Sequence, residues 1–556
     1  MLARDKRRFP LYVLLITALV LLIIIFRTIF IMLKSPSKGK VYQNPQVASR
    51  VVRGTIYDRE GRILAIERPY YNCALLLKEV KELQSVATAL GQILSLSPNS
   101  IVEGASKNTT YYLVKSKLSP TEVAQVESLK LKGVILEKEY GRFYPQHYHA
   151  ANLLGFTNRE NVGLEGLELS LNSLLLPHPR LGEEVTMGSD LYLTIDLDLQ
   201  YLLDQQAVEI DALHHPDEIS AIIMEAKTGA ILALTNFPWY DPNQFANSTP
   251  AMRQNRVVSN LFEPGSVFKI FSLAAILEAD QASLDQPFYC DGTYTYTTAS
   301  GSQVVVNCTS PHGVVDPRGM LKYSCNGAVA HWALESDSTL FRDSLAAMGF
   351  NTRWELPLPG ISRGNLKEVE AFSGRSKPTI AFGQEVGVNA LQLVTAATAL
   401  ATGGDLYAPY LVERVVADDG SVTETKPQIA VKGVISEETA KVVLEGMQEA
   451  TQRGGTATLS AIRGVEVASK TGTAQIIDGE SGTYAANAFL ASTLSIFPAD
   501  NPTYIIFIGV KNPKGSTIWG ANIASPAIAS IIESMVSQGK IASSESERVT
   551  LTGQFD

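Results

Sequence analysis

Cysteine is scarce in this chain. Cys73, Cys290, Cys308 and Cys325 are the only four among 556 residues, and their spacing resembles no zinc-site pattern, so no structural metal is expected. Also lacking is any dominant basic block outside the first eight residues, and the net charge is −9, so no nucleic-acid partner is indicated. Nor is the chain poor in apolar residues: at 45% hydrophobic it suits globular cores, and its length suits about three or four domains. Residues 40 to 185 show no pairing of a nucleophile with a base, which marks them as a non-catalytic module.

One long hydrophobic run is present. Residues 11 to 33 are apolar except for Thr17, Arg27 and Thr28, and as a helix they would extend roughly 35 Å, enough to span a bilayer. Arg4, Lys6, Arg7 and Arg8 precede it, so the positive-inside rule places residues 1 to 10 in the cytoplasm and the rest of the chain outside. The alternative is a cleaved signal peptide, but the run exceeds an ordinary h-region and no small-x-small site follows it directly. Arg27 is expected to snorkel to the outer interface. Outside the membrane a disulfide is plausible. Cys290 and Cys308 flank a Thr/Tyr/Ser/Val-rich stretch, Thr293 to Val306, whose hairpin pattern brings them close enough to bridge, while Cys325 suits a small buried thiol.

Three short motifs occur in order downstream: Ser266-Val267-Phe268-Lys269, Ser324-Cys325-Asn326 and Lys470-Thr471-Gly472. Each alone is weak. SxxK recurs from Ser35 and Ser37, Ser-x-Asn recurs from Ser97 and Ser170, and a second KTG starts at Lys227. Ser35 and Ser37 lie in a polar juxtamembrane stretch where no pocket can form. Ser266, by contrast, follows the turn Glu263-Pro264-Gly265 and opens an apolar run to Glu278 that patterns as a buried helix, so Lys269 sits one turn on and on the same face. A serine hydroxyl needs an adjacent base to become a nucleophile, and a buried lysine can be that base once burial or a second cation favours its neutral form.

Around these motifs the chain divides. A hairpin is expected over Glu60-Gly61, a second domain beginning near Leu191 to Asp196, a helix over 199 to 213, and two strands over 219 to 235 around the Lys227-Thr228-Gly229 turn. Three late strands are expected over 464 to 475, 488 to 497 and 503 to 510, then a closing helix over 525 to 538 and a polar tail, 541 to 556. Two early strands, three late strands and a helical middle make an α+β domain over 190 to 540.

With these motifs the chain resembles the class B penicillin-binding proteins, the monofunctional peptidoglycan D,D-transpeptidases. The likeness extends to Arg53-Gly54, Asp58-Arg59, Gly141-Arg142, Tyr144-Pro145, Arg256, Phe382-Gly383-Gln384 and Leu391-Gln392-Leu393; Leu154 to Asn158 and Gly163 to Glu168 look most like the septal, FtsI-type branch. The resemblance implies a single-pass anchor, an extended β-rich pedestal of the dimerisation type over 40 to 185, and a transpeptidase domain built on a five-stranded antiparallel sheet flanked by helices. It implies Ser266 as nucleophile and Lys269 as its base, with Ser324 relaying a proton, Asn326 holding Lys269, and Lys470 supplying positive potential. Thr471, Gly472 and Thr473 would bind the substrate carboxylate and oxyanion. No metal or cofactor is implied. Implied partners are peptidoglycan stem peptides, β-lactams, the inner membrane, a SEDS-family glycosyltransferase and other division proteins. Two departures stand out: Cys325 replaces the usual Asp of the second motif, and Ser469 precedes the KTG where glycine is common, which is expected to tighten the strand's outer edge. A D,D-carboxypeptidase, a β-lactamase, a β-lactam sensor or an inactive division scaffold could carry the same motifs.

Overall fold

The computed structural model describes residues 17–28, 50–180, 182–279, 287–477 and 483–543. Its contacts separate residues 1–50 with 179–185 from a second unit, residues 51–178 with 186–556. In the first, residues 17–28 are helical and exposed. The rest of the expected anchor, the N-terminus expected to be cytoplasmic, and the tail beyond 543 lie outside the described residues. Among the described residues no helix is long and apolar enough to cross a membrane.

In the second unit the expected hairpin forms from β1 (Ile56–Tyr57) and β2 (Ile63–Leu76). Its turn is tied by Asp58 Oδ1, which accepts from the backbone N–H groups of Glu60 and Arg62, and closes through Gly61 at φ +84°. β2 pairs antiparallel with both β3 (Tyr111–Lys115) and β4 (Val134–Phe143). Helices α1 (Leu83–Leu94), α2 (Pro98–Ser106) and α3 (Pro120–Ser128) bury Leu90, Leu94, Ile101 and Val126 against Cys73 and Leu75 of that sheet. α3 starts with a complete capping box between Ser119 and Glu122.

The sheet does not end where the first domain was expected to end. β5 (Asp190–Leu193), placed by its sequence at the start of the second domain, pairs parallel with β1, and Val412–Val416 pairs antiparallel with β5. One seven-stranded sheet thus recruits strands from both sides of residue 185. Beneath it lies a charged knot. Glu168, fully buried, accepts from Arg53 Nε at 2.6 Å and from Arg142 Nε at 2.5 Å, while Arg142 Nη1 donates to the Gly54 carbonyl. Gly54 must be glycine here, because a Cβ would stand 1.9 Å from the Ser189 carbonyl oxygen.

The larger, C-terminal part of this unit is a three-layer sandwich. After α4 (Leu197–His214), β6 (Glu218–Glu225) and β7 (Ile231–Phe237) form a hairpin capped by the second KTG, whose Lys227 donates to Asn501 at the surface. α5 (Lys269–Ala279) follows a 3-10 turn over Gly265–Phe268. Next, β8 (Phe288–Cys290) pairs with β11 (Gly313–Val315), and between them β9 (Thr293–Thr297) and β10 (Gln303–Asn307) form the expected hairpin. Helices α6 (Pro317–Tyr323), α7 (Asn326–Glu335) and α8 (Ala390–Thr402) precede the late strands β12 (Ala468–Ile477), β13 (Tyr484–Phe497) and β14 (Tyr504–Lys511), and α9 (Gly520–Ser537) closes the domain. The five-stranded sheet runs β12-β13-β14-β6-β7, antiparallel throughout.

Strand alternation builds the layers. Ile219, Ala221 and Ile223 of β6 join Ile506, Ile508 and Val510 of β14 under α4 and α9. Ile222, Met224, Ile505 and Phe507 point the other way, toward α5 and α8. Both faces of this sheet are therefore covered. α8 has no exposed face because it is buried from Ala390 to Ala401, held by an Asn389/Gln392 capping box and ended by Gly403 in the left-handed region.

Candidate active site

The three motifs meet on one edge of the sandwich. Ser266 sits in the 3-10 turn before α5, and Lys269 Nζ reaches its Oγ at 3.1 Å. The turn is positioned by two glycines in the left-handed region. Gly265 (φ +54°) leaves a Cβ only 2.9 Å from Ala474 on β12, and Gly383 (φ +86°) packs its backbone on Gly265, where a Cβ would lie 2.0 Å from the Gly265 oxygen. Gly383 comes from the Phe382-Gly383-Gln384 segment, and its backbone carbonyl accepts from the Gly265 N–H at 2.9 Å.

Ser324 is the left-handed C-cap of α6 (φ +56°), and Cys325 is the N-cap of α7. This helix-to-helix corner turns Ser324 and Asn326 toward Lys269. Lys269 Nζ lies 2.7 Å from the Ser324 carbonyl, 3.1 Å from Ser324 Oγ and 2.6 Å from Asn326 Oδ1. The Asn326 amide orientation is fixed because its Nδ2 donates to the Asn307 carbonyl at 2.8 Å. From β12, Lys470 Nζ donates to Ser324 Oγ at 3.0 Å and to the Thr471 carbonyl at 2.8 Å. Gly472 keeps the strand close: a Cβ there would stand 2.7 Å from Ser492 Oγ and 2.9 Å from Val267. Thr473 Oγ1 accepts from the Gly520 N–H at 3.3 Å.

Donor counting is compatible with the neutral amine that the chemistry needs. An ammonium has three N–H donors and no lone pair, yet four oxygens surround Lys269 Nζ, two of which can only accept. A neutral amine gives its two N–H groups to the Ser324 carbonyl and Asn326 Oδ1 and turns its lone pair to a serine hydroxyl. Burial drives the same way. Lys269 is fully buried, and desolvation lowers it from 10.5 to about 8, against the opposing influence of Cys325 and Cys308. Lys470, equally buried, is pushed well below its usual range by desolvation and then by Lys269. Ser324 Oγ bridges the two amines, so they titrate as a pair.

All eight expected site residues thus lie along one wall: Ser266, Lys269, Ser324, Asn326 and Lys470 are joined by hydrogen bonds, and Thr471, Gly472 and Thr473 continue the strand beside them. Two expectations need correction. The Cys290–Cys308 bridge does not form: both are free thiols, and Cys308 Sγ turns instead to Cys325 Sγ, 3.7 Å away. Ser469 does not act on the strand's outer edge, since it is buried with its hydroxyl 2.6 Å from Ser495 on β13. Two residues escaped the sequence reading. Asn307 orients Asn326 through its backbone carbonyl, which no side-chain pattern could reveal. Gly520 opens α9 against β12 and β13, where a Cβ would stand 2.1 Å from the Ser492 oxygen; a glycine at a helix start was the available signal.

A nucleophilic hydroxyl, a buried lysine whose pKa is lowered toward neutrality, a relay hydroxyl and a second amine on a sheet edge define an active-site serine acyltransferase. Residues 219–533 match the penicillin binding protein transpeptidase domain and residues 48–179 the penicillin-binding protein dimerisation domain. The chain therefore belongs to the penicillin-binding protein transpeptidase family. It is 29% identical over 505 residues to a probable peptidoglycan D,D-transpeptidase PenA of Neisseria meningitidis, covering 86% of this chain and 83% of that protein. Stage V sporulation protein D of Bacillus subtilis is 29% identical over 86% of this chain and 77% of its own. Peptidoglycan D,D-transpeptidase FtsI of Escherichia coli K12 is 26% identical over 86% and 82%. Among solved structures, penicillin-binding protein 3 of Mycobacterium tuberculosis complexed with aztreonam superposes with a TM-score of 0.71 at 25% identity, covering 89% of this chain and 98% of that one.

Proposed function

We propose that this protein is a peptidoglycan D,D-transpeptidase of the FtsI type that cross-links stem peptides through a Ser266 acyl-enzyme. The observation that carries the reading is the placement of buried Lys269, whose Nζ lies 3.1 Å from Ser266 Oγ and is held by Ser324 and Asn326, where its neutral form can take the Ser266 proton. Ser266 Oγ attacks the carbonyl of the penultimate D-alanine as Lys269 accepts its proton. The backbone N–H groups of Ser266 and Thr473 stabilise the oxyanion; one such donor is worth on the order of 3 kcal/mol. Collapse breaks the bond to the terminal D-alanine, whose amine takes a proton through Ser324, which bridges Lys269 and Lys470. Lys470, Thr471 and Thr473 face the substrate carboxylate. An amine of a neighbouring stem peptide then attacks the ester, its proton returns by the same relay, and Ser266 is regenerated. β-Lactams enter the first half of this sequence and stop at the acyl-enzyme.

The same reading places the anchor within residues 11 to 33 of the cytoplasmic membrane, with the N-terminus inside and the catalytic domain periplasmic. Lipid-linked nascent strands would come from a SEDS-family glycosyltransferase, and a septal site would bring other division proteins alongside. The arginine-rich start and the apolar run support this topology.

Covalent labelling by a fluorescent penicillin tests the reaction. The purified full-length protein should be labelled, Ser266→Ala should not, and the label should persist for many minutes. Rapid loss of label would make the protein a hydrolase, and equal labelling of the variant would exclude Ser266 as nucleophile.

A further inference from the structure

Cys325 lies between the two catalytic residues of the second motif, and its thiol is one of four potential ligands gathered in one place. The ligand atoms of Cys290, Cys308, His312 and Cys325 all lie within 4.8 Å of one another. Sequence spacing hid this arrangement because the fold supplies it. β8 carries Cys290, the end of β10 leads into Cys308, the return to β11 carries His312, and the α6–α7 corner presents Cys325. The β9/β10 hairpin closes the first loop, and the antiparallel pairing of Cys290 with Gly313 brings His312 beside it.

The two shortest separations match the edges of a coordination polyhedron. Zinc binds sulfur at about 2.3 Å and imidazole nitrogen at about 2.0–2.1 Å, so a tetrahedral site has S···S edges of roughly 3.8 Å and S···N edges of roughly 3.5 Å. Cys308 Sγ stands 3.7 Å from Cys325 Sγ, and Cys290 Sγ stands 3.5 Å from His312 Nδ1. A disulfide needs sulfurs about 2.05 Å apart. The surroundings suit thiolates as well. Cys308 Sγ accepts from the Gly327 N–H at 3.3 Å and Cys325 Sγ from the Ala328 N–H at 3.5 Å, both at the N-terminus of α7. His312 is held flat against Tyr323, with ring planes 11° apart.

We propose that Cys290, Cys308, His312 and Cys325 form a closed Cys3His site for a divalent transition metal, zinc by its sulfur-rich ligand set, which clamps the β8–β11 excursion to the loop carrying Ser324 and Asn326. Four protein ligands leave no position for substrate, so the metal is structural. Its consequence reaches the chemistry through one residue. Cys325 is covalently flanked by Ser324 and Asn326, which supply three of the four oxygens around Lys269 Nζ. A metal fixed on Cys325 therefore sets the position of the groups that orient the general base, without touching substrate. Displacement of such groups by about 1 Å can cost on the order of 10²-fold in rate.

The test starts from full-length protein purified in detergent without an affinity step that carries metal. Elemental analysis should find about one zinc per chain in the wild type and in Cys73→Ser, whose thiol lies in the remote pedestal, and far less in Cys308→Ser and His312→Ala. Cobalt(II) exchanged into the wild type should give the intense visible bands of tetrahedral sulfur coordination, a readout independent of folding defects in the variants and of the transpeptidase reading. Stripping zinc with a chelator should slow acylation by fluorescent penicillin at least about tenfold, with recovery on adding zinc back. The proposal is overturned if the wild type carries no stoichiometric metal and fails to take up cobalt, if His312→Ala retains a full equivalent, or if mass spectrometry of the unreduced protein finds a Cys308–Cys325 disulfide.

Discussion

Replacing Asn326 with aspartate should move the pH at which Ser266 becomes reactive without destroying the site. Lys269 acts as a base only when neutral. At its ordinary value of 10.5, about one molecule in 3,000 would be neutral at pH 7; at about 8, roughly one in eleven is, a gain of about 300-fold and about 3 kcal/mol. The acylation rate should therefore rise with pH and level off above about 8, with the value belonging to the coupled Lys269/Lys470 pair. Asn326→Asp puts a carboxylate where an amide oxygen now lies 2.6 Å from Nζ, which favours the ammonium and should shift this limb upward by at least about one pH unit. At pH 7 the variant should acylate at least about tenfold more slowly, and the deficit should shrink toward pH 10. Asn326→Ala, in contrast, should lose rate at every pH. Stability moves in a defined direction too. Because the folded state lowers the Lys269 pKa, the unfolded chain binds more protons between about 8 and 10.5, so stability rises with pH across that window and the full cost is present below it. Stopped-flow acylation from pH 6 to 10 decides the matter: a flat wild-type profile, or an aspartate variant that stays equally slow at pH 10, would refute the neutral-lysine account.

Gly383→Ala should destabilise the protein by about 2 kcal/mol or more, because its Cβ would strike the Gly265 oxygen from a left-handed backbone; a lowered melting temperature and loss of penicillin labelling would accompany it. Glu168→Ala leaves Arg53 and Arg142 facing each other in the interior, which should cost about 3–5 kcal/mol in chemical denaturation even though the pair is remote from Ser266 in sequence. Lys227→Ala, in the surface copy of the KTG motif, should change stability by less than about 0.5 kcal/mol and leave acylation unaltered. Gly327→Val should push the α7 start off Phe288 and Tyr294, whose atoms would stand 3.1–3.2 Å from a Cβ, and reduce the acylation rate by on the order of tenfold or more with little change in circular dichroism.

The catalytic chemistry was legible because it is local. Ser266 and Lys269 share one helical turn, Ser324 and Asn326 one corner and Lys470 to Thr473 one strand, so pattern and spacing alone carry their relation. The five strands of the catalytic sheet were legible for the same reason, as their alternation records the two buried faces. What failed was long-range. The pairing of β5 with β1 depends on a parallel contact across more than a hundred residues, and nothing in Leu191-Tyr192-Leu193 states which sheet will accept it. The cysteines were legible only in part. A hairpin signal correctly brought Cys290 near Cys308, but the rotamer that turns Cys308 toward Cys325 is set by α7, and spacing rules for metal ligands assume short loops rather than a cluster drawn from four elements.

The second motif shows how these scales join. Ser324 occupies the left-handed cap between α6 and α7, a conformation that costs a non-glycine residue on the order of 1 kcal/mol and persists only where its surroundings hold it. Three restraints do so. The Cys325 N–H donates to the Met320 carbonyl, Asn326 Nδ2 is anchored to the Asn307 carbonyl, and the Cys325 thiol sits against Cys308. Two of the three come from the β9/β10 hairpin and its exit, an exposed excursion with no catalytic residue of its own. The hairpin is therefore a strap on the relay serine, and Cys325 gives the strap a sulfur to hold.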